Sequence, residues 1–505
     1  MNSANKIFSA SQLKQLDQLT IEREPVSSLN LMERAASCCA DWILQHLPQE
    51  KTYFIFCGEG NNGGDGWAIA RMLLQLQYTV QVYKVVITGK QSPDCAANEQ
   101  RLADLHLTKI NRLADTTDLP VISENDIVVD AIFGTGLTRP ITGWVTELIG
   151  HINQSEVTIL AIDIPSGLFA DGHSDPSSSI ISAAYTLSFQ FPKLGFLFPE
   201  NQNHVGEWKL LDIQLNKTAI AQLPVSNYLL TGEWISSLRK PRTKFSHKGN
   251  FGHALLIAGS YGKMGAAVLA VNACLRIGVG LVTAHVPRCG YEIIQTTSPV
   301  AMASVDTNET LIGDELDMGS FSAAGIGPGI GTGRPTQATL HYLLQHAQKP
   351  MVLDADAINI LGLNPDWLAL LPVGSILTPH PKEFERIAGK AANDFDRWNL
   401  QRSFSKKYKV HIVLKGAHTC ITTPEGETYF NNTGNPGMAK AGSGDVLTGI
   451  LTGLLAQGYE PLYACLIGVY VHGYAGDLAA ESIGQTGMTA EDLVNYLPAA
   501  FKNLQ

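Results

Sequence analysis

The sequence predicts an α/β protein of two domains, each a mostly parallel sheet between two layers of helices. Three observations predict it. The chain has 505 residues, more than one ordinary core holds, since domains usually run to about 100 to 200 residues. Short β-branched runs alternate with helical stretches in two separate series, and such alternation implies parallel strands covered on both faces. Between the series lies Leu215 to Phe245, polar, mixed in character and without strong periodicity, which divides the chain into domains 1–222 and 223–505.

Taken in order, apolar residues recur at helical spacing from Ser11 to Glu24 and from Leu29 to His46, with Pro25 between them. The first strand series then runs TYFIFC (Thr52 to Cys57), TVQVYKVV (Thr79 to Val86), DIVVDAIFG (Asp126 to Gly134) and VTILAIDIP (Val157 to Pro165). The second begins with HALLIAG (His253 to Gly259), continues through LVTAHV, MVLDAD, SILTPH and HIVLKG, and closes with long helical stretches after Lys440. No repeat relates the halves.

The composition is ordinary for such a fold, with 45% hydrophobic and 16% charged residues. A formal net charge of −10 argues against coating nucleic acid, which needs a basic face. Eight scattered cysteines without a C-x-x-C pair read as free thiols in a reducing compartment. The first residues lack a basic start followed by an apolar run, and no window offers about 18 uninterrupted apolar residues. The expectation is a cytoplasmic protein that binds no membrane.

After TYFIFC comes GEGNNGGDG, in which Gly58-x-Gly60-x-x-Gly63 has the form of a dinucleotide-binding turn. In that motif an acidic residue about 20 positions on holds the ribose hydroxyls. Here no Asp or Glu occurs between Asp65 and Asp94, so a simple dehydrogenase reading weakens. The turn still offers backbone N–H groups to an anion at a helix N-terminus, and Asn61, Asn62 and Asp65 add oxygens suited to a hard cation. VVDAIFGTGLTRP places Asp130 at a strand end before a second glycine turn with Arg139 nearby, and AIDIPSG places Asp163 and Ser166 at another. In open α/β sheets ligands sit beyond the carboxyl ends of the strands, so the three clusters are expected to converge.

GEGNNGGDG, VVDAIFGTGLTRP and AIDIPSGL resemble the YjeF N-terminal family, the NAD(P)HX epimerases, and NLMERAA fits that family as well. The resemblance implies that Asn61, Asn62, Gly63, Gly64 and Asp65 bind the damaged cofactor. It implies that the turn Gly134, Thr135, Gly136, Leu137, Thr138, Arg139 and Pro140 holds phosphates, and that Asp163 faces the reacting ring as the catalytic residue. Asn62, Asp130 and Ser166 correspond to the ligands of a potassium ion.

In the second half, GSYGKMGAAVLA opens a helix but is not a P-loop, GIGPGIGTG turns at a strand end, TPHPKEFERIAG carries His380, and AGSGD begins a helix at Gly442. Small residues there let the backbone approach an anion, and the Asp445 carboxylate could take a proton from an attacking hydroxyl. VLKGAHT, TPHP and AGSGD resemble the ribokinase-like fold, specifically the ADP-dependent NAD(P)HX dehydratases. That resemblance implies a nucleotide site of Lys415, Gly416, Ala417, His418, Thr419 and Gly444. It also implies a hydrated-cofactor site of the Gly265-Ala266-Ala267 turn, with Ala266 chosen, and Gly329, His380 and Asp445. Lys382 stands where glycine is commoner, which puts the local loop shape in question.

Together the resemblances imply a Rossmann-like and a ribokinase-like sandwich joined in one repair enzyme. It would epimerise R and S NAD(P)HX and then dehydrate the S form, using ADP and yielding AMP and phosphate. The implied partners are NADHX, NADPHX and ADP, with K+ at the first site, Mg2+ on the nucleotide at the second, and a homo-oligomer as the assembly. Competing readings are a ribokinase-like small-molecule kinase and, for the first half, a nucleotide-binding scaffold.

Overall fold

The computed structural model describes residues 6–175 and 177–504. The chain divides into two compact units, residues 6–225 with 393–395, and residues 226–392 with 396–504. The division thus falls after Val225, against an expected boundary after Gln222.

The strands of the first unit are β1 (Lys6–Ile7), β2 (Thr52–Cys57), β3 (Thr79–Val85), β4 (Ile110–Leu113), β5 (Asp126–Ala131), β6 (Thr158–Ile162), β7 (Tyr185–Phe189) and β8 (Glu207–Leu211). Seven form a sheet in the order β4-β3-β2-β5-β6-β7-β8, every neighbouring pair parallel. The central strands are apolar on both faces, and their period of two sorts the side chains. Tyr53, Ile55, Cys57, Ile127, Val129 and Ala131 pack with the helices Ser28–His46 and Asn61–Gln75, and Phe54, Phe56 and Val128 pack with the helix Trp144–Gln154. Burying each large apolar side chain contributes about 1.5–3 kcal/mol. The helices start where the sequence supplies caps: Ser9 forms a capping box with Gln12, and Ser27 accepts from Asn30 N–H.

The second unit contains β9 (Asn227–Leu229), β10 (His253–Ile257), β11 (Leu281–Val286), β12 (Met302–Val305), β13 (Ala323–Ile326), β14 (Met351–Leu353), β15 (Ile376–Leu377), β16 (His411–Leu414), β17 (Cys420–Thr422) and β18 (Thr428–Phe430). These run in the order β9-β18-β17-β16-β15-β14-β13-β10-β11-β12. From β12 to β16 all pairs are parallel, while β17 is antiparallel to both its neighbours. The segment expected to be a featureless boundary is therefore partly structured. It forms the helices Lys217–Gln222 and Gly232–Ser237, and its β9 pairs in parallel with β18. All eight cysteines are free thiols, and no helix of the described residues is long and apolar enough to cross a membrane.

Parallel pairing has one consequence for chemistry. In each unit the residues following the parallel strands emerge at the same edge of the sheet, the place where α/β proteins bind ligands.

Candidate active sites

In the first unit, β2, β5 and β6 deliver the polar residues to that edge. A Cβ on Gly63 would lie 2.0 Å from the Gly58 carbonyl oxygen, so only glycine lets the helix Asn61–Gln75 begin this close to the strand end. Asn62 turns inward and is buried, its Nδ2 donating to the Phe133 carbonyl at 2.8 Å. Asn61 is exposed. Asp130, fully buried, accepts from Ser166 Oγ at 2.6 Å, from Ser166 N–H at 2.8 Å and from Ile132 N–H at 3.2 Å. Ser166 Oγ in turn accepts from Phe133 N–H at 2.8 Å.

Asn62, Asp130, Ser166 and the Phe133 carbonyl thus form one cluster, rich in oxygens. Burial pushes the Asp130 carboxyl up to about 6, although its three hydrogen bonds act to lower it. Asn62 Oδ1 is buried with no hydrogen-bond partner, an arrangement that costs free energy unless something electropositive faces it. The donor set fits a cation that takes carbonyl, hydroxyl and carboxylate oxygens. The second glycine turn lies against this cluster, since a Cβ on Gly134 would stand 3.2 Å from that of Asn62. Beyond it Thr135 and Leu137 are half-buried, and Gly136, Thr138, Arg139 and Pro140 are exposed.

Asp163 follows β6 with φ +64°, a left-handed conformation uncommon outside glycine and often found at functional sites. Its Oδ1 accepts from Phe189 N–H at 3.1 Å and from Lys193 Nζ at 2.5 Å. Lys193 is buried and also donates to Ser188 Oγ at 2.8 Å and to the Phe191 carbonyl at 3.3 Å. Two further carboxyls feel the Asp163 charge. Burial first, and then Asp163, push Asp17 up to about 7, while the same two causes hold Asp65 well above the usual carboxylate range. Neither Lys193 nor Asp17 is among the residues expected from the sequence.

In the second unit the chemistry gathers where β10, β13, β14, β15 and β16 end. The helix Met264–Arg276 starts after β10, and Ser260 Oγ donates to the Gly329 carbonyl at 2.6 Å, tying two of the turns together. Of the alanine pair, Ala267 is completely buried and Ala266 is half-buried. Ala267 therefore faces the core.

His380 lies three residues after β15 and caps the helix Pro381–Ala388. Its Nδ1 accepts from the N–H groups of Lys382 at 3.1 Å and Glu383 at 3.2 Å, and Glu383 Oε2 accepts from His380 N–H at 2.8 Å. Lys382 itself is exposed, so the cap forms with lysine in place of glycine. Burial keeps His380 below the usual histidine value, with Glu383 opposing.

Gly442 has φ +93° and begins the helix Ser443–Ala456, a left-handed start that a residue with a Cβ would strain. Gly444 and Asp445 lie in its first turn. Lys415 donates from Nζ to Asp354 Oδ1 at 2.9 Å and stands 3.8 Å from Glu383 Oε2. A Cβ on Gly444 would be 3.3 Å from the Lys415 Nζ, which places the ammonium at the helix N-terminus. Burial works against the Lys415 charge, yet Asp354 and Glu383 raise its pKa above the usual lysine value. Burial also pushes Asp445 up to about 6, Asp354 adding to the shift and Lys415 opposing it. The turn from Gly416 through Ala417 and His418 is closed by Thr419, whose Oγ1 donates to the Gly416 carbonyl at 3.0 Å.

Asp354 and Asp356 were not expected as site residues. Asp356 accepts from Gly331 N–H at 2.8 Å and lies 3.6 Å from Lys263 Nζ, so the segment after β14 holds two of the surrounding turns. Among the described residues no group of three His, Cys, Asp or Glu side chains is arranged to hold a metal.

Comparison with known proteins finds matches to both halves of the chain. The family described as YjeF-related protein N-terminus matches residues 28–195, and NAD(P)H-hydrate dehydratase matches residues 254–499. The bifunctional NAD(P)H-hydrate repair enzyme Nnr of Moorella thermoacetica is 36% identical over 99% of this chain and 97% of its own length. The chain belongs to the family of bifunctional NAD(P)H-hydrate repair enzymes. The relative of that name in Escherichia coli is 31% identical over 94% of this chain and 91% of its own. An ADP/ATP-dependent NAD(P)H-hydrate dehydratase from Bacillus subtilis, co-crystallised with ATP and Mg2+, is 31% identical over 55% of this chain and 98% of its own, with a TM-score of 0.49. The repair-enzyme family thus spans both clusters, and of the site residues described above only Asp17 lies outside the two matched segments.

Proposed function

We propose that the chain repairs hydrated NADH and NADPH at two sites. The first interconverts the R and S epimers, and the second dehydrates the S epimer at the expense of ADP, releasing AMP and phosphate. The observation that carries the reading is the placement of Lys415 and Asp445 together at a helix N-terminus, an anion site with its own base.

At the first site the substrate's C6 bears a hydroxyl beside the ring nitrogen, whose lone pair can expel it. Water adding back to the other face inverts the centre. A proton held between Lys193 and Asp163 passes to the departing hydroxyl and returns as water adds. Asn61, Gly63, Gly64, Asp65 and the turn from Gly134 to Pro140 hold the phosphates and the ring. Asn62, Asp130, Ser166 and the Phe133 carbonyl would hold K+, and the unpartnered Asn62 oxygen supports that assignment. A bound K+ supplies fixed positive charge that organises the two turns.

At the second site Asp445, as the carboxylate, takes the C6 hydroxyl proton while the oxygen attacks the β-phosphorus of ADP and AMP leaves. Lys415 and the helix N-terminus stabilise the charge on the transferred group. The phosphate ester then leaves C6 with the push of the ring nitrogen, and C5 gives up a proton to restore the double bond. Gly416, Ala417, His418, Thr419 and Gly444 are assigned to the nucleotide, and Ala266, Gly329 and His380 to the hydrated cofactor. The half-exposure of Ala266 favours it over Ala267. Mg2+ is assigned to the nucleotide phosphates, the described residues offering no group of three His, Cys, Asp or Glu side chains to hold it.

The test is incubation of purified S-epimer hydrate of NADH with and without ADP, followed by reduced-nicotinamide absorbance. Recovery that requires ADP, with one AMP and one phosphate per NADH, is the expected result. Recovery without nucleotide, or a stable phosphorylated product, would instead favour a different lyase or a kinase.

A further inference from the structure

Asp354 stands directly after β14 with its carboxylate 1% exposed. Its two oxygens are divided between two elements of the site. Oδ1 accepts from Lys415 Nζ at 2.9 Å, and Oδ2 accepts from Thr448 Oγ1 at 2.7 Å. Thr448 is one turn beyond Gly444 in the helix that carries Asp445, and the same hydroxyl lies 3.2 Å from the Gly444 carbonyl. The backbone holds the carboxylate in place, since Asp354 N–H donates to Ile326 at 3.0 Å and the next residue, Ala355, sits at φ +46°.

A buried carboxylate in this position is costly unless paired, and nothing in the transfer and elimination chemistry of the second site uses it directly. Its pairing has a chemical effect. A lysine is a compact charge on a flexible four-carbon stem. Left free at the helix start, Lys415 could fold onto the Asp445 carboxylate and weaken it as a base. With Asp354 and Glu383 occupying it, the ammonium faces the incoming phosphate from a fixed point.

We propose that Asp354 is a positioning residue for phosphoryl transfer: it joins Lys415 to the first turns of the Asp445 helix and keeps the ammonium off the Asp445 carboxylate. This rests on the reading of Lys415 and Asp445 given above. Asp354 touches neither substrate nor nucleotide in this role. Its negative charge also acts on Asp445 from a distance, in the same direction as burial.

The test uses full-length Asp354→Asn, which keeps the side chain's shape and an acceptor for Thr448 but loses the charge. The expected result is a loss in kcat for ADP-dependent dehydration on the order of 100-fold, the scale of a misplaced catalytic group. KM for the hydrated cofactor should be nearly unchanged, and the acid limb of the pH profile should move to lower pH as Asp445 loses a neighbouring negative charge. A kcat close to that of the parent with an unmoved acid limb overturns the proposal. Because Asp354 is buried, AMP binding by calorimetry checks that the variant's second unit is folded. If it is not, Thr448→Val carries the test, with a several-fold loss in kcat at unchanged KM expected and an unchanged kcat contradicting it. Asp445→Asn at full activity would sink the underlying reading, a result distinct from either failure of Asp354.

Discussion

Lys193 places its ammonium nitrogen 2.5 Å from Oδ1 of Asp163 although its side chain is only 1% exposed. Removing one partner of such a buried pair leaves the other charge uncompensated, at a cost of about 3 kcal/mol or more. Lys193→Met should therefore slow exchange between R and S hydrates by about 100-fold or more while leaving dehydration of pure S hydrate intact. Chiral separation of the epimers over time reads the first effect, and absorbance recovery reads the second. Equal losses in both activities would contradict the assignment.

The second site should show a base with a pKa near the shifted value. In the proposed mechanism Asp445 acts as the carboxylate, and burial lifts it to about 6. Its ionised fraction falls as pH drops through that value, so kcat/KM for dehydration should decline on the acid side around pH 6 rather than near the ordinary aspartate value of about 4. Asp445→Asn should remove nearly all activity. An acid limb two units lower would assign the base elsewhere.

Potassium should stabilise the first unit, and more so at higher pH. The folded-state pKa of Asp130 is raised to about 6, so its contribution to stability is greatest when protonated and is lost as pH rises through that value. A cation in the cluster offsets the loss, because it favours the ionised form. Melting temperatures in potassium chloride and in tetramethylammonium chloride should thus diverge above pH 6 and converge below it. Asp130→Asn should abolish the difference.

The alanine pair separates packing from contact. Ala267→Val adds volume to a fully buried position and should destabilise the protein by about 1–3 kcal/mol. Ala266→Val, at a half-buried position, should leave the melting temperature nearly unchanged and raise KM for the hydrated cofactor. The reverse pattern would exchange their roles.

Much of this was legible in the sequence because strong patterns end where the chemistry begins. TYFIFC, DIVVDAIFG and VTILAIDIP read as buried strands, and the ends of these runs with the residues just after them carry Asn62, Asp130, Asp163 and Ser166 to one edge. Edge strands were harder to read. Glu207–Leu211 has no buried residue and Ile110–Leu113 has one, so neither carries the alternation that marks a half-buried strand. The three residues Asn227–Leu229 are too short to read as a strand alone and are paired with Thr428–Phe430.

The site residues that escaped notice did so for a physical reason. An aspartate after a strand, as in MVLDAD, reads as a helix cap, and only the fold brings Lys415 to Asp354 across 61 residues of sequence. Lys193 offered a local signal, a lone lysine in the apolar run FPKLGF, which burial turns into half of an ion pair. Asp17 lies on an amphipathic helix and gave no local signal.

In the proposed repair, two distinct sites act in series on one substrate pool. The most direct measurement incubates a mixture of R and S hydrates of NADH with the full-length protein, ADP, Mg2+ and K+, in parallel with Asp163→Asn, and follows NADH recovery to completion. Complete recovery is expected of the parent, and recovery of only the S share, at an undiminished initial rate, of the variant. Complete recovery by Asp163→Asn at the parent's rate throughout would contradict the proposed repair.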